Sequence, residues 1–596
     1  MGDGRTINPS ATHLNAPNAQ RFLTDGLVSD YDQYRYLMDN ALASKDALNL
    51  SLGVALTGAQ VGALTHDIVW MENRVIDGQT VLVPTLYLAQ VDARNVRGSS
   101  LIQGRDLNLI SGGDLVNVGT LRASRDLSVS SGGSIYQGGL VEAGNKLQLI
   151  AQDSIRNAMA GQIRGENVSL AAVRGDVTNE RTAIQVRDGA GYRTVTDAGS
   201  GVSARQDLAV SAGRDVTNYG TLQAGRDVAL QAGNDVSLLA KTDNTQKHET
   251  FEGGHRYVVT TQAKQLSSNV SAGSDLNTDA ARDINVVASR ANAGQNLALD
   301  AGQDVNIASA QDENAYYSFK KSSGSFGRKK THQDETYDST NVASVLNAGQ
   351  DLTINTRKAA DGSVGINGGR DVNVVGSQLS AGNDLILGTT NDVSVNADVE
   401  QHGTYSKTTK SGSFGLSKSG KSQMTRNVDQ VGSELTAGND AVIASGRDVN
   451  LRASTLDAAN DVDVRAGLVD PRGDINLLSA DNEASSHQEK YKKKAGLSLS
   501  GGFLSFSSAK EAGNEAQGRT AVGSQITTMG DAYLHSERDI NVVGSRVDAA
   551  GDVGLQAGRD VNVLAAQNTH SRMLKRHLRN FKILEVCDEC KISSDF

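Results

Sequence analysis

Four features of this 596-residue chain combine residue types and spacings that could do chemistry. Gly415-Leu416-Ser417-Lys418-Ser419-Gly420-Lys421-Ser422 matches the phosphate-binding pattern G-x-x-x-x-G-K-S. That chemistry needs the loop to leave a buried strand and enter a helix, so that backbone amides converge on phosphate. Here Thr404 to Lys410 ahead of it is polar, and Gln423 to Asn427 behind it has no apolar helix stripe, so nucleotide binding is not expected. Cys587 and Cys590, the only cysteines, have metal-ligand spacing but no second pair or histidine partner nearby. Arg174-Gly175-Asp176 and Arg472-Gly473-Asp474 are integrin-type tripeptides, yet both fall in a phrase where Gly-Asp recurs anyway. Acidic residues recur in pairs eight apart, such as Asp227/Asp235 and Asp552/Asp560, which raises calcium as a ligand. The calcium β-roll uses nine-residue Gly-Gly-x-Gly-x-Asp units. This chain lacks the second Gly and alternates steps of about eight and about twelve, so calcium is not expected either.

The Asp pairs belong to a repeat that must position them. The phrase is Gly-x-Asp-Val-x-Val, as in Gly225-Arg226-Asp227-Val228-Ala229-Leu230 and Gly558-Arg559-Asp560-Val561-Asn562-Val563. Apolar and polar residues alternate, so each phrase is a short strand with one buried face. Gly and Asp supply turn chemistry, Gly through positive φ and Asp through bonds to its own backbone. A period near twenty residues is a solenoid signature. Two strands and two turns are expected per coil, and roughly twenty coils would make a rod on the order of 100 Å long. The evenly spaced Asp residues look like a structural ladder rather than the clustered carboxylates of an enzyme built on a β-helix. No catalytic, cofactor-binding or metal residue is expected.

Composition agrees. Aromatic residues are 4%, hydrophobic residues 38%, with 63 Gly and four Pro, which suits a thin core of small branched side chains. The net charge of −10 is spread along the chain, with Arg next to Asp in many phrases. A nucleic-acid partner would want a concentrated basic face, and none is legible in the sequence. There is no apolar run of membrane-spanning length and no secretory signal at Met1-Gly2-Asp3-Gly4-Arg5, so an export signal is expected outside this chain.

Along the chain, residues 1–25 read as a flexible lead-in and 26–92 as a small α+β segment. In the latter, Tyr31, Tyr34, Leu37, Met38, Ala41 and Leu42 mark a helix stripe. Thr57 and Gln60 suggest a capping box for a second helix through Val61, Leu64 and Ile68. Asp77-Gly78 sits between Ile68-Val69-Trp70 and Val81-Leu82-Val83 as a hairpin turn. This segment could cap the first coil. The solenoid is expected over 93–568, interrupted by polar insertions near 240–271, 311–346, 398–436 and 481–528. Their recurring cores, such as Gly324-Ser325-Phe326-Gly327 and Gly412-Ser413-Phe414-Gly415, suggest hairpins repeating about every eighty residues. From Ser571 the pattern stops, and 569–596 reads as a non-repeat tail, either a short helix or the product of a frameshift.

The Gly-Arg-Asp-Val-Asn-Val phrases, with the insertion Tyr316 to Gly327, resemble the haemagglutinin repeats of large bacterial two-partner-secreted exoproteins. Tyr31 to Met38, Gly53 to Val61, Leu64 to Trp70 and Val81 to Pro84 look like the stretch ahead of the second repeat block in contact-dependent growth inhibition exoproteins. The resemblance covers about residues 20–570. It implies an outer-membrane secretion transporter as one partner and a target-cell outer membrane or surface receptor as another. It also implies a location outside the cell or at the bacterial surface, and a block that helps move a C-terminal toxin into a neighbouring bacterium. The secretion and toxin domains of such proteins are not recognisable here, so the chain reads as an internal fragment or a truncated product. The fold expected is an all-β, right-handed parallel β-helix with hairpin insertions and a small α+β front, forming a monomeric filament. The function expected is a non-enzymatic delivery segment, with a filamentous adhesin for host cells or biofilm as the alternative.

Overall fold

The computed structural model describes residues 30–582 except 49, 55, 57–59, 61–67, 77–78, 88–99, 359–363, 367 and 501–502. The lead-in 1–25, Thr57, Val61, Leu64, the Asp77-Gly78 turn, Cys587 and Cys590 therefore lie outside the described residues.

Three parallel sheets of fourteen strands each run the length of the repeat region. The first goes from Leu101–Gly104 to Arg546–Ala549, the second from Leu107–Ser111 to Val553–Ala557, the third from Leu115–Asn117 to Val561–Leu564. One coil contributes one strand to each sheet, so the fold is a parallel β-helix of three strands per coil. The two-strand coil expected from sequence is corrected by the first sheet. Its strands, such as Thr221–Ala224, are four residues long and carry no Gly-x-Asp phrase. Only Leu222 and Ala224 point inward, too few to show a period. Fourteen coils at the ~4.8 Å strand spacing make a stack of about 60 Å.

The core is the set of inward ladders. Val228, Leu230, Val236, Leu238 and Leu222 of one coil are all at most 2% exposed, and they stack on the same positions above and below. Each coil is too thin to bury these residues alone, so stability comes from stacking. The phrase glycines serve close approach rather than positive φ. A Cβ on Gly225 would sit 2.1 Å from the Arg205 carbonyl of the coil before, and one on Gly233 would sit 2.2 Å from that of Gly213.

Besides a short hairpin of Thr356–Lys358 with Val364–Ile366 between the second and third sheets, five hairpins and one further strand leave the described solenoid, all at the corner between the third sheet and the next first-sheet strand. They are Ala183–Asp188 with Gly191–Thr196, Lys241–Phe251 with Arg256–Leu266, Ala310–Gly324 with Arg328–Val342, Asp398–Ser411 with Ser417–Val431, Ala480–Ser500 with Phe503–Val522, and the lone Thr569–Lys582. They occur on every second coil. Two coils rise ~9.6 Å, which is the width of two paired strands, so successive hairpins meet edge to edge. The result is one eleven-stranded antiparallel sheet along the rod. The sequence reading did not find the hairpin at 183–196. Nor is the chain unrelated to the repeats beyond Ser571. Thr569–Lys582 pairs with Phe503–Val522 from Arg519↔Thr569 to Ser505↔Lys582 as the next strand of this sheet, not as a helix.

In the front segment, helix α1 spans Asp30–Ala47 and a hairpin pairs Ile68–Ile76 with Gln79–Tyr87. Ala41, Leu50, Ile68 and Trp70 form its core. The buried stripe of α1 is narrower than expected, because Leu37 and Ala41 are buried while Tyr34 and Leu42 are exposed. Ile68 opens a strand, not the end of a second helix.

Candidate functional site

The tempting motifs resolve into structure. Ser417–Val431 is a β-strand, so Lys418 and Lys421 of the phosphate-loop match sit opposite Ser411 and Thr408 in a hairpin, with no helix after the loop. Among the described residues no group of three or more His, Cys, Asp or Glu could hold a metal ion.

The Asp residues form two ladders whose logic is set by the next coil. Asp235 Oδ1 accepts the backbone N–H of Asp283 at 3.2 Å and the Arg282 Nε–H at 2.7 Å, both from the coil above. The Arg-Asp dipeptide is therefore a two-point clamp on the Asp below it, not a turn bonding its own backbone. Arg214 on Asp176, Arg226 on Asp207 and Arg559 on Asp539 repeat the arrangement. These guanidinium bonds hold Asp176, Asp207, Asp235 and Asp539 below the usual carboxylate range. Their stabilising contribution is present above the unfolded value near 3.9 and is lost as pH falls through the lower folded values.

Both Arg-Gly-Asp tripeptides are absorbed by this ladder. Asp176 is clamped by Arg214, and Asp474, 8% exposed, is clamped by Arg538 with Nε 2.7 Å from Oδ1. Arg472 turns away to Asp470, whose pKa it pulls down to about 2. Asp448 in the coil below consequently gains only the Asp474 N–H at 2.9 Å and no arginine from above. Burial pushes its carboxyl above the usual range, so ionised Asp448 costs stability at neutral pH. Asp448→Asn should keep or raise the melting temperature, whereas Asp235→Asn should lower it. An equal fall in both would contradict the assignment.

A second candidate site lies on the hairpin sheet. On one of its faces Tyr317, Tyr337, Tyr405, Met424 and Glu335 surround a shallow recess of about 470 Å³, opened by Gly403 between Tyr337 and Arg426. Tyr257 packs beside it, with ring centroids 5.4 Å from Tyr317 and 6.0 Å from Phe319. The Tyr317 hydroxyl is hydrogen-bonded to Tyr257, which pushes its pKa up to about 12, so it stays protonated at neutral pH. The recess offers hydroxyls and ring faces for contact. At the tips, Phe326 and Phe414 lie 6.1 Å apart on neighbouring hairpins, both exposed and both at positive φ (61° and 55°). Sequence reasoning missed the recess because its walls come from three different hairpins; the recurring Gly-Ser-Phe-Gly cores were the available signal.

Against known proteins, the haemagglutinin repeat model matches residues 189–258, 251–329, 324–420, 414–513 and 504–582, which together span the hairpin region. A second haemagglutinin repeat model matches 40–158. The chain belongs to the haemagglutinin-repeat family. Among curated proteins, this haemagglutinin-repeat chain is 34% identical over 503 residues to the deoxyribonuclease CdiA of Dickeya dadantii, covering 82% of this chain and 14% of that one. It is 31% identical over 519 residues to the 16S rRNA endonuclease CdiA of Enterobacter cloacae, covering 85% and 15%. It is also 31% identical over 533 residues to a tRNA nuclease CdiA of Escherichia coli, covering 85% and 15%. The chain thus spans about one seventh of the length of these relatives. No solved structure matches it. The haemagglutinin-repeat family is one of secreted surface exoproteins, and no described helix is long and apolar enough to cross a membrane.

Proposed function

We propose that this chain is a non-enzymatic stalk and translocation segment of a large secreted exoprotein that delivers a C-terminal toxin to neighbouring bacteria on contact. The observation that carries the reading is the long match to CdiA proteins with three different nuclease names. A block shared by proteins named for different nucleic-acid targets is suited to a role common to all of them. A rod held together by coil-to-coil stacking, flanked by an exposed sheet, suits a spacer that carries contacts along its length. The partners under this reading are the outer-membrane transporter of two-partner secretion and the outer membrane or a receptor of the target cell. Repeats of this kind are shared with filamentous adhesins, which is the alternative. Labelled bacteria and epithelial cells offered to the purified chain separate the two. Preferential binding to bacteria is expected, and preferential binding to epithelial cells would favour the adhesin.

A further inference from the structure

A glycine inside a long strand weakens it, and it is kept where a bulge, a close backbone approach or a ligand needs the space. Gly403 lies within Asp398–Ser411, in even register with Tyr337 on one side and Arg426 on the other, so no bulge accounts for it. It does not adopt positive φ. Crowding does not account for it either, because a Cβ there would meet nothing nearer than the Thr425 carbonyl at 3.8 Å. The space it leaves is the floor of the recess in the hairpin sheet. Residues directly opposite each other in neighbouring antiparallel strands share a face, so two rows wall that recess. One row runs Tyr317, Glu335, Tyr405, Met424. The other, two residues nearer the solenoid, runs Ala315, Tyr337, Gly403, Arg426.

We infer that this recess binds a phosphocholine-type head group, with its quaternary ammonium against the tyrosine rings and Glu335 and its phosphate toward Arg426. Glu335 is half-buried and stands directly between Tyr317 and Tyr405. The hydrogen bond it receives among the described residues comes from the neutral Gln333 amide, with no lysine or arginine paired to it. Elsewhere on the chain side-chain cations cover the rings of Tyr136, Tyr219 and Phe251. None among the described residues covers Tyr317, Tyr337 or Tyr405. Open ring faces beside a carboxylate attract a weakly hydrated organic cation. The Tyr337 hydroxyl already donates to Glu313 at 3.2 Å, and that of Tyr317 is bonded to Tyr257, so these walls offer rings more than hydroxyls. A neutral sugar would want the reverse. Arg426 is exposed and bonds the neutral Gln401 side chain at 3.3 Å, which leaves its guanidinium fork for phosphate. The inference does not depend on the toxin-delivery reading.

The test titrates soluble phosphocholine into the full chain by calorimetry. The parent should bind with a Kd of about 1 mM or tighter. Gly403→Ile fills the recess and should weaken binding at least about tenfold, with a melting temperature equal to or above the parent's because a strand glycine is gone. Tyr405→Leu should also lose about tenfold, whereas Tyr405→Phe, which keeps the ring face, should stay within about twofold. Arg426→Gln should weaken phosphocholine about fivefold and leave choline within about twofold. Lys407→Gln, on the same face but outside the recess, should bind within about twofold of the parent. Flotation with phosphatidylcholine vesicles, competed by soluble phosphocholine, would support the proposal with a lipid as the source. Binding of the soluble head group without flotation would support it with a free or polymer-borne source. The proposal is overturned if the folded parent gives no binding up to about 10 mM phosphocholine. It is equally overturned if Tyr405→Phe loses as much as Tyr405→Leu, or if maltoheptaose binds more tightly than phosphocholine.

Discussion

Val449→Asp should lower the stability of the solenoid by several kcal/mol, on the order of 4, and shift its urea midpoint accordingly. Val449 is fully buried in the third-sheet ladder, between Val393 below and Ile475 above. A carboxylate there has no partner, and the ladder above and below is aliphatic. The same substitution at Val561, whose phrase first suggests an inward valine, should cost about 1 kcal/mol or less. Val561 is in register with Ile540 of the same ladder, yet it is 46% exposed because no described coil stacks over it. Equal losses at the two positions would mean that burial in the ladder does not come from stacking.

Asn179→Leu should cost about 3 kcal/mol although the two side chains share the same branched shape. Asn179 is 4% exposed at the corner after the third sheet. Its Nδ2 donates to Asn218 Oδ1 at 2.8 Å, to the Ser200 carbonyl at 3.1 Å and to the Thr221 carbonyl at 3.2 Å, while its Oδ1 accepts from Asn157 at 2.9 Å. The leucine removes one donor from acceptors on two coils and takes from the Asn157 amide its Asn179 acceptor. Thermal melting with far-ultraviolet dichroism reads the effect, and a loss below about 1 kcal/mol would show that water reaches this corner. Higher in the stack the corner changes to serines, with Ser268 Oγ donating to Ser289 at 3.0 Å, and buried Ser344, Ser377, Ser433, Ser454 and Ser524 following.

The second and third sheets were legible in the sequence because the Gly-x-Asp-Val phrase, or a close variant of it, precedes many of their strands. The first sheet was not, since strands such as Thr221–Ala224 are too short to show alternation. The corner asparagines were legible in principle, because Val177-Thr178-Asn179 and Val216-Thr217-Asn218 repeat, but an isolated Asn also reads as a turn. The hairpin sheet could not be read from composition. Its contacts join residues such as Lys330 and Lys410, eighty positions apart, and depend on two coils rising by the width of one hairpin. The strand Thr569–Lys582 looked foreign because its basic sequence departs from the phrase, and only the pairing with Phe503–Val522 shows what it is. The phosphate-loop and Arg-Gly-Asp matches show the converse, as local patterns that the strand pairing and the arginine clamps assign to structure.

The measurement that bears most directly on the central claim is a co-culture with a full-length exoprotein carrying residues 101–564 of this chain, compared with an in-frame deletion of that block. The account predicts that the deleted form is still displayed on the cell surface and still touches target cells but no longer inhibits their growth. Undiminished inhibition without the block would contradict a role in toxin delivery.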